Sequence, residues 1–135
     1  MTLVDAGPLV ALLDAKDQHH SACRDVFQNV IREPLRTVWP AWTEAMYLLR
    51  GVASTQDKLW RFLQEDAVRL APLLLEDVPR MRELMHKYRD RPMDLADAAL
   101  VRVAERDQID QIFTVDRSDF LVYRIHGRKR FKLLP

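Results

Sequence analysis

The sequence has a single cysteine and only three glycines in 135 residues. One cysteine excludes an internal disulfide and fits a reducing compartment. Cys23 lies in a helical pattern of apolar positions, which favours a packed thiol over a nucleophile. The few glycines form no phosphate-cradling loop. Two common chemical scaffolds, a disulfide framework and a glycine-rich nucleotide loop, are therefore excluded.

Long uncharged runs are also absent. No apolar stretch approaches the roughly 18 residues of a membrane-spanning helix, and the start of the chain lacks the basic leader of a signal peptide. We therefore expect a cytoplasmic protein with no membrane association. No Gly/Ser-rich, acidic or repetitive segment divides the chain, and its 48% hydrophobic content suffices for a core. Residues 1–135 are predicted to form one domain.

Neither sign of charge dominates, because 21 basic residues face 20 acidic ones and the net charge is +1. The distribution is uneven, however. Residues 121–135 contain no acidic residue and five basic ones, namely Arg124, Arg128, Lys129, Arg130 and Lys132. This basic segment is compatible with a position near polyanions, and equally with a solvated or partner-bound tail.

Short β-branched or apolar runs alternate with longer helical patterns along the chain. Strands are predicted at residues 2–4, 35–39, 68–70 and 111–115. Helices are predicted from Pro8 as first helical residue, over 17–31 behind an Asp17 cap, from Pro40, and over about 55–66, 78–89 and 95–106. This alternation predicts a three-layer α/β/α fold with a central parallel sheet of four to five strands.

Acidic residues occur where the ligand site of such a sheet is expected, outside the carboxyl ends of the strands. Asp5 and Asp116 each follow a predicted strand. Glu44 and Asp97 lie on helices among core-type residues, and Asp94 is on the same face as Asp97. Burying an unpaired carboxylate is costly. A metal ion would compensate the charge of Asp5, which lies in an otherwise apolar run.

Helix capping is the competing explanation for these acids, because carboxylates are favoured at helix N-termini. Capping is the preferred interpretation for Asp94, and for Asp119 a cap of the turn after the last predicted strand is preferred over metal contact. Both explanations stay open for Asp116. For Asp5, Glu44 and Asp97 the apolar surroundings favour the metal.

A site built from carboxylates alone offers only oxygen ligands, which suit magnesium or manganese rather than zinc. Such an ion can orient a phosphodiester and promote attack by water, so the protein need not supply a nucleophile. The histidines are scattered and no Ser–His–Asp order is present. We interpret all four as surface residues: His19, His20, His86 and His126.

Four segments in order resemble the motifs of PIN domains, in particular of VapC-type toxins: LVDAGPLVALLD (3–14), WPAWTEA (39–45), MDLADAAL (93–100) and FTVDRSDF (113–120). The end of the chain, YR…GRKRFKLLP (123–135), is typical of one VapC-like subgroup. Residues 51–75 match no motif. Each segment alone is a weak signal, whereas four in order over nearly the whole chain are specific.

The resemblance implies a magnesium-dependent endoribonuclease, with Mn²⁺ as a possible substitute. It implies that Asp5, Glu44, Asp97 and Asp116 form the catalytic and metal-binding set. It further implies a homodimer, a cognate VapB-type antitoxin as partner, and a structured RNA, often a transfer RNA, as substrate. Trp42, Tyr47, Trp60 and Phe62 offer apolar surface for a partner helix, although core packing is the preferred interpretation for most of them.

Other classes fit the residues less well. A phosphatase of the haloacid-dehalogenase type needs a second aspartate two residues after the first, where this chain has Gly7. A response-regulator receiver needs a lysine after a late strand, which is missing. Housekeeping PIN nucleases that mature RNA or cut branched DNA share the same acids and stay an alternative. A non-catalytic PIN-like module that binds RNA or protein is a further alternative, against which the intact acids argue.

Overall fold

The computed structural model describes every residue from Met1 to Pro135. Its strands are β1 (Leu3–Val4), β2 (Leu35–Thr37), β3 (Val68–Leu70), β4 (Gln111–Phe113), β5 (Arg124–Ile125), β6 (Lys129–Arg130) and β7 (Lys132–Leu134). Its α-helices are α1 (Ala6–Leu13), α2 (His20–Asn29), α3 (Trp39–Leu48), α4 (Thr55–Gln64), α5 (Val78–Lys87), α6 (Leu95–Asp107) and α7 (Arg117–Val122). A 3-10 turn, Leu75–Asp77, precedes α5.

Five strands form one sheet in the order β3-β2-β1-β4-β7, and all four pairings are parallel. The predicted parallel sheet is therefore confirmed. Strands β1 and β4 are neighbours in its centre, with Val4 opposite Phe113. The residues that follow these two strands consequently emerge side by side at the same edge. Strands β5 and β6 form a separate antiparallel hairpin.

Apolar helices cover both faces of the sheet. Successive residues of a strand point to opposite faces, and Leu3 accordingly packs in a core cluster with residues of α5, α6 and α7. Val4 packs in a second cluster with residues of α1, α2 and α4, while α3 contributes to both clusters. The predicted three-layer α/β/α arrangement is confirmed. The helices are all too short or too polar to traverse a lipid bilayer.

Several predicted element boundaries are wrong. Helix α1 begins at Ala6 directly after Asp5, so Pro8 is its third residue and not its first. Helix α2 begins at His20, and Asp17 instead accepts a hydrogen bond from the His19 amide at 2.8 Å in the preceding turn. The strand predicted over 35–39 ends at Thr37, because α3 already begins at Trp39. Pro40 lies in the first turn of α3, where its missing amide proton costs no helical hydrogen bond.

The basic segment is not a free tail, as one interpretation of its charge held. It folds into β5, β6 and β7, with Ile125 and Phe131 buried. A turn at His126 and Gly127, both with positive φ (53° and 71°), reverses the chain between β5 and β6. Apolar residues between the charges explain the difference, because they anchor the segment to the core while the cationic groups stay at the surface.

Candidate active site

Asp5 stands at the end of β1, where it is also the N-cap of α1. The residue is 8% exposed. One carboxylate oxygen accepts a hydrogen bond from the Ala6 amide at 2.8 Å, and the other accepts one from the Thr114 hydroxyl at 3.3 Å. Burial raises the pKa of Asp5 to about 7, and the nearby negative charges of Glu44 and Asp94 act in the same direction. Both of its hydrogen-bond donors are uncharged.

Thr114 joins the ends of the two central strands. While its hydroxyl donates to Asp5, the hydroxyl oxygen accepts a hydrogen bond from the Asp116 amide at 3.0 Å. The Asp5 amide in turn donates to the Phe113 carbonyl at 3.1 Å. Thr114 is fully buried. These bonds fix the carboxylate that follows β1 relative to the backbone that follows β4.

Asp97 lies in the first turn of α6 and is 7% exposed. Its Oδ2 accepts a hydrogen bond from the Tyr123 hydroxyl at 2.8 Å. Burial, and next the negative charge of Asp5, raise the pKa of Asp97 to about 8. Asp94 is the N-cap of α6 and accepts a hydrogen bond from the Asp97 amide at 2.8 Å. The capping interpretation of Asp94 is confirmed.

Glu44 and Asp116 are both exposed to solvent. The expectation that Glu44 lies among core residues is wrong, because Ala41, Trp42 and Ala45 form the buried side of α3 and leave Glu44 outside it. Partial burial, followed by the charges of Asp94 and Asp116, nevertheless raises the pKa of Glu44. Glu44 is therefore close enough to Asp94 and Asp116 for electrostatic repulsion between the carboxylates.

Asp116 occupies the N-cap position of α7, but its side chain makes no capping hydrogen bond. Partial burial and the neighbouring Asp119 raise its pKa. Asp119 differs from it, since Arg91 forms an ion pair with the Asp119 carboxylate at 2.8 Å. Asp119 thus has its own cationic partner, which the capping interpretation did not include.

The remaining buried acids show how this protein normally compensates a carboxylate. Asp77 accepts hydrogen bonds from Arg102 at 2.8 Å and Arg106 at 2.9 Å, and Glu105 pairs with Arg80 at 2.8 Å. Although burial opposes their ionisation, hydrogen bonds from the Leu74 amide to Asp77 and from Arg80 to Glu105 hold both pKa values below the ordinary range.

No basic side chain forms an ion pair with the four acids of the proposed set, Asp5, Glu44, Asp97 and Asp116. Asp5 and Asp97 are nonetheless buried from solvent. The pattern leaves concentrated negative charge without a protein cation, which is the electrostatic character expected of a cation site.

The donor set suits a hard divalent cation, because it contains oxygen atoms and no imidazole or thiolate. No group of three or more acidic, histidine or cysteine side chains is arranged to hold a metal ion by itself. Magnesium usually keeps several waters and takes only one or two carboxylates from the protein. Asp5 and Asp97, each with a defined hydrogen-bond partner, are the residues that fit this requirement best.

Comparison with known proteins identifies the family. The family model of the PIN domain matches residues 2–124. The chain belongs to the PIN domain family. Ribonuclease VapC26 of Mycobacterium tuberculosis is 27% identical over 135 residues, covering 98% of this chain and 99% of that protein. The predicted VapC-type PIN domain and its assignment as a nuclease are thereby confirmed.

A solved PIN-type toxin shows the same architecture. The crystal structure of Mycobacterium tuberculosis VapC20, described as a sarcin–ricin loop cleaving toxin, superimposes with a TM-score of 0.77. It covers 88% of this chain and 94% of that chain at 17% identity. At this level of identity the likeness concerns the fold. The phosphatase and receiver alternatives are excluded by the PIN assignment.

Two residues that contact the candidate acids were not singled out from the sequence. Thr114 lies two residues before Asp116 within a β-branched run, so its position at a strand end was the available signal. Tyr123 begins the closing segment that resembles one VapC-like subgroup, but that resemblance did not connect it with Asp97, which it reaches only through the fold. The contacts of both residues depend on strand and helix ends that are distant in the chain.

Other chemically active side chains of this PIN domain lie in ordinary structural positions. Cys23 is fully buried, and burial raises the pKa of its thiol to about 11, as expected for a packed cysteine. His19 and His20 are only partly exposed, and Nδ1 of His20 lies 2.6 Å from the Ala11 carbonyl oxygen, so the interpretation as surface residues does not hold fully for these two. His86 and His126 are exposed. None of these residues adds a nucleophile to the site.

Proposed function

We propose that this protein is a magnesium-dependent endoribonuclease toxin of the VapBC type that hydrolyses phosphodiester bonds in structured RNA. The observation that carries the proposal is the pair of buried carboxylates, Asp5 and Asp97, which lack any cationic partner at the carboxyl edge of the sheet. Its similarity to Ribonuclease VapC26 supports RNA as the substrate.

In this proposal Asp5, Glu44, Asp97 and Asp116 are the catalytic and metal-binding residues, and Mg²⁺ is the cofactor, with Mn²⁺ as a substitute. A bound divalent cation supplies positive charge that orients a phosphodiester and promotes attack by water. The Ala6 amide and the Thr114 hydroxyl hold the carboxylate of Asp5 in place. Glu44 and Asp116 are exposed, so they are the members of the set that water and an RNA backbone can reach.

Transfer RNA is the substrate class that we propose within structured RNA. This choice rests on the resemblance to VapC-type toxins. The description of VapC20 as cleaving the sarcin–ricin loop supports a folded RNA as target in this group of proteins. Single-stranded or distorted regions of a folded RNA are the parts whose bases and backbone a protein can reach.

The proposed partners are a VapB-type antitoxin and a second copy of the chain, and the proposed location is the cytoplasm. Tyr47 on α3 is 60% exposed and Trp60 on α4 is 45% exposed. A partner protein could bury these aromatic side chains. Trp42 is buried, and Phe62 is partly buried against the same core cluster, as the core-packing interpretation held. Only part of the aromatic set therefore remains for a partner.

The decisive experiment is RNA cleavage by the purified protein. We expect cleavage of transfer RNA with Mg²⁺, no cleavage with EDTA, and a loss of at least about 100-fold in Asp5→Asn and Asp97→Asn. Asp25→Asn, at an exposed position of α2, is the matched control and should cut like the wild type. Circular dichroism checks that each variant is folded. Folded Asp5→Asn and Asp97→Asn proteins that cut at the wild-type rate would refute the assigned site.

The toxin assignment has a separate test in cells. Expression of the wild-type chain should arrest bacterial growth, and co-expression of the small protein encoded beside its gene should restore it. Asp97→Asn, produced at the same level, should leave growth unaffected. Normal growth at high levels of an active wild-type enzyme would instead indicate a housekeeping PIN nuclease.

A further inference from the structure

Tyr123 makes a buried contact with the proposed metal site although it lies outside the four acidic motifs. Its hydroxyl donates a hydrogen bond to Oδ2 of Asp97 at 2.8 Å. This is the only hydrogen bond made by the Asp97 carboxylate, so its Oδ1 accepts none. One oxygen of Asp97 is thus held by the protein, and the other is free to bind a ligand.

The ring that carries this hydroxyl is fixed on several sides. Tyr123 is fully buried, with its ring centroid 4.9 Å from that of Tyr88 and 5.2 Å from that of Phe120, both in edge-to-face packing. Phe120 packs in turn against Phe131 at 5.5 Å. The hydroxyl of Tyr88 contacts no carboxylate and instead accepts a hydrogen bond from the Arg124 amide at 3.1 Å.

The other buried acid of the proposed set, Asp5, is also held by uncharged donors. The Ala6 amide and the Thr114 hydroxyl each hold one oxygen of the Asp5 carboxylate. Both buried acids are therefore oriented by neutral donors that restrict the carboxylate without cancelling its charge. An arginine, as at Asp77, would have neutralised the carboxylate that it oriented.

We infer that Tyr123 is a positioning residue for divalent-cation binding, whose hydroxyl holds Oδ2 of Asp97 so that Oδ1 is presented to the ion. The inference rests on the metal site of the proposed function. Carboxylates that bind metals are commonly oriented by a hydrogen bond from a second residue, and loss of that residue weakens metal affinity by about 10- to 100-fold. The segment from α7 to β7 thus contributes to the site through Tyr123 and not only through its charge.

The test is the affinity of the metal-free protein for Mn²⁺, measured by calorimetry and by electron paramagnetic resonance of free Mn²⁺. Tyr123→Phe keeps the ring and removes only the hydroxyl, so we expect affinity to fall at least about tenfold. The Mg²⁺ concentration for half-maximal RNA cleavage should rise by a similar factor. The loss of rate at saturating Mg²⁺ should be smaller than the shift in that concentration, because the Tyr123 hydroxyl acts on cation binding through Asp97.

Tyr88→Phe is the matched control, since it removes a hydroxyl from the same aromatic group that touches no carboxylate. It should bind Mn²⁺ like the wild type. Equal affinity in Tyr123→Phe and the wild type would overturn the inference. An equal loss in Tyr88→Phe and Tyr123→Phe would also overturn it, because both hydroxyls would then act through general packing.

A double-mutant cycle separates this inference from the proposed function. In an Asp97→Asn background, Tyr123→Phe should cause little further loss of Mn²⁺ affinity, and independent, additive losses would contradict a role through Asp97. If the wild type binds Mn²⁺ but cuts no RNA, the nuclease proposal fails while the affinity series still decides the role of Tyr123. Absence of Mn²⁺ binding by the wild type would overturn the inference itself.

Discussion

A Cβ atom on Gly7 would lie 2.4 Å from Cγ2 of Val115. Gly7 is in the first turn of α1, two residues after Asp5, and Val115 lies between Thr114 and Asp116 beyond β4. Because Gly7 has no side chain, α1 can pack closely against the residues that follow β4. Asp116 of the proposed set is one of those residues. A side chain at position 7 would push α1 away from the residues that follow β4.

Gly7→Ala should destabilise the fold by about 1–3 kcal/mol, because the added methyl group overpacks the contact with Val115. The helical preference of alanine, worth up to about 1 kcal/mol, acts in the opposite direction and is the smaller effect. Urea unfolding gives the free energy directly. Gly51→Ala is the control, since a Cβ atom on Gly51 would meet no other atom within 4 Å, and similar losses at both glycines would contradict the explanation.

Stability of the metal-free protein should decrease as pH rises from about 5 to 8. The pKa values of Asp5 and Asp97 in the folded protein are raised from 3.8 to about 7 and about 8, so the folded state retains protons that the unfolded chain has already released. Stability therefore falls as pH rises through this window. The lowered pKa values of Asp77 and Glu105 affect only more acidic conditions.

Thermal unfolding in EDTA at several pH values measures this dependence. Asp97→Asn should flatten it, because the amide has no proton to release and also removes one source of repulsion from Asp5. Mg²⁺ should restore stability most strongly at the upper end of the range, since it binds the ionised carboxylates. A melting temperature that rises between pH 5 and 8 in EDTA would contradict the assignment of unpaired acids.

The same substitution should have opposite effects at two buried aspartates. Asp77→Asn should lower the free energy of unfolding by about 3–5 kcal/mol, because it breaks a buried pairing with two arginines. Asp97→Asn should leave it unchanged or raise it in EDTA above pH 7, because its carboxylate has no cation to lose. Urea unfolding of both variants at pH 7.5 is the measurement. Comparable destabilisation at Asp97 would show that its charge is already compensated.

The sequence predicted where some residues of the candidate site lie, because their placement depends on local pattern. Asp5 and Asp116 follow short apolar runs, and the alternation of strands with helices implies parallel pairing, so both strand ends were expected at one edge. The capping role of Asp94 followed from its place before an amphipathic helix. Predicting these features requires only the spacing of the hydrophobic residues and the polar residues at the strand ends.

The remaining features depend on tertiary contacts that no local pattern specifies. Glu44 was expected among core residues, yet the helix turns its neighbours inward and leaves it in solvent. The basic segment could be interpreted as a tail, because its many charges indicate exposure. The few apolar residues between them did not predict that β7 joins the sheet. The hydrogen bond from Tyr123 to Asp97 joins residues 26 positions apart and could not be foreseen without the fold.

The uncompensated acids also bear on how such a domain can evolve. Selection for heat resistance in the absence of divalent cations would favour neutral replacements at Asp5 and Asp97, because like charges confined in a poorly solvated place oppose folding. Those replacements are also the ones expected to silence the enzyme. Robustness and activity therefore compete at this sheet edge, a trade-off common at catalytic centres. Laboratory evolution toward stability alone should yield an inert domain that keeps its architecture.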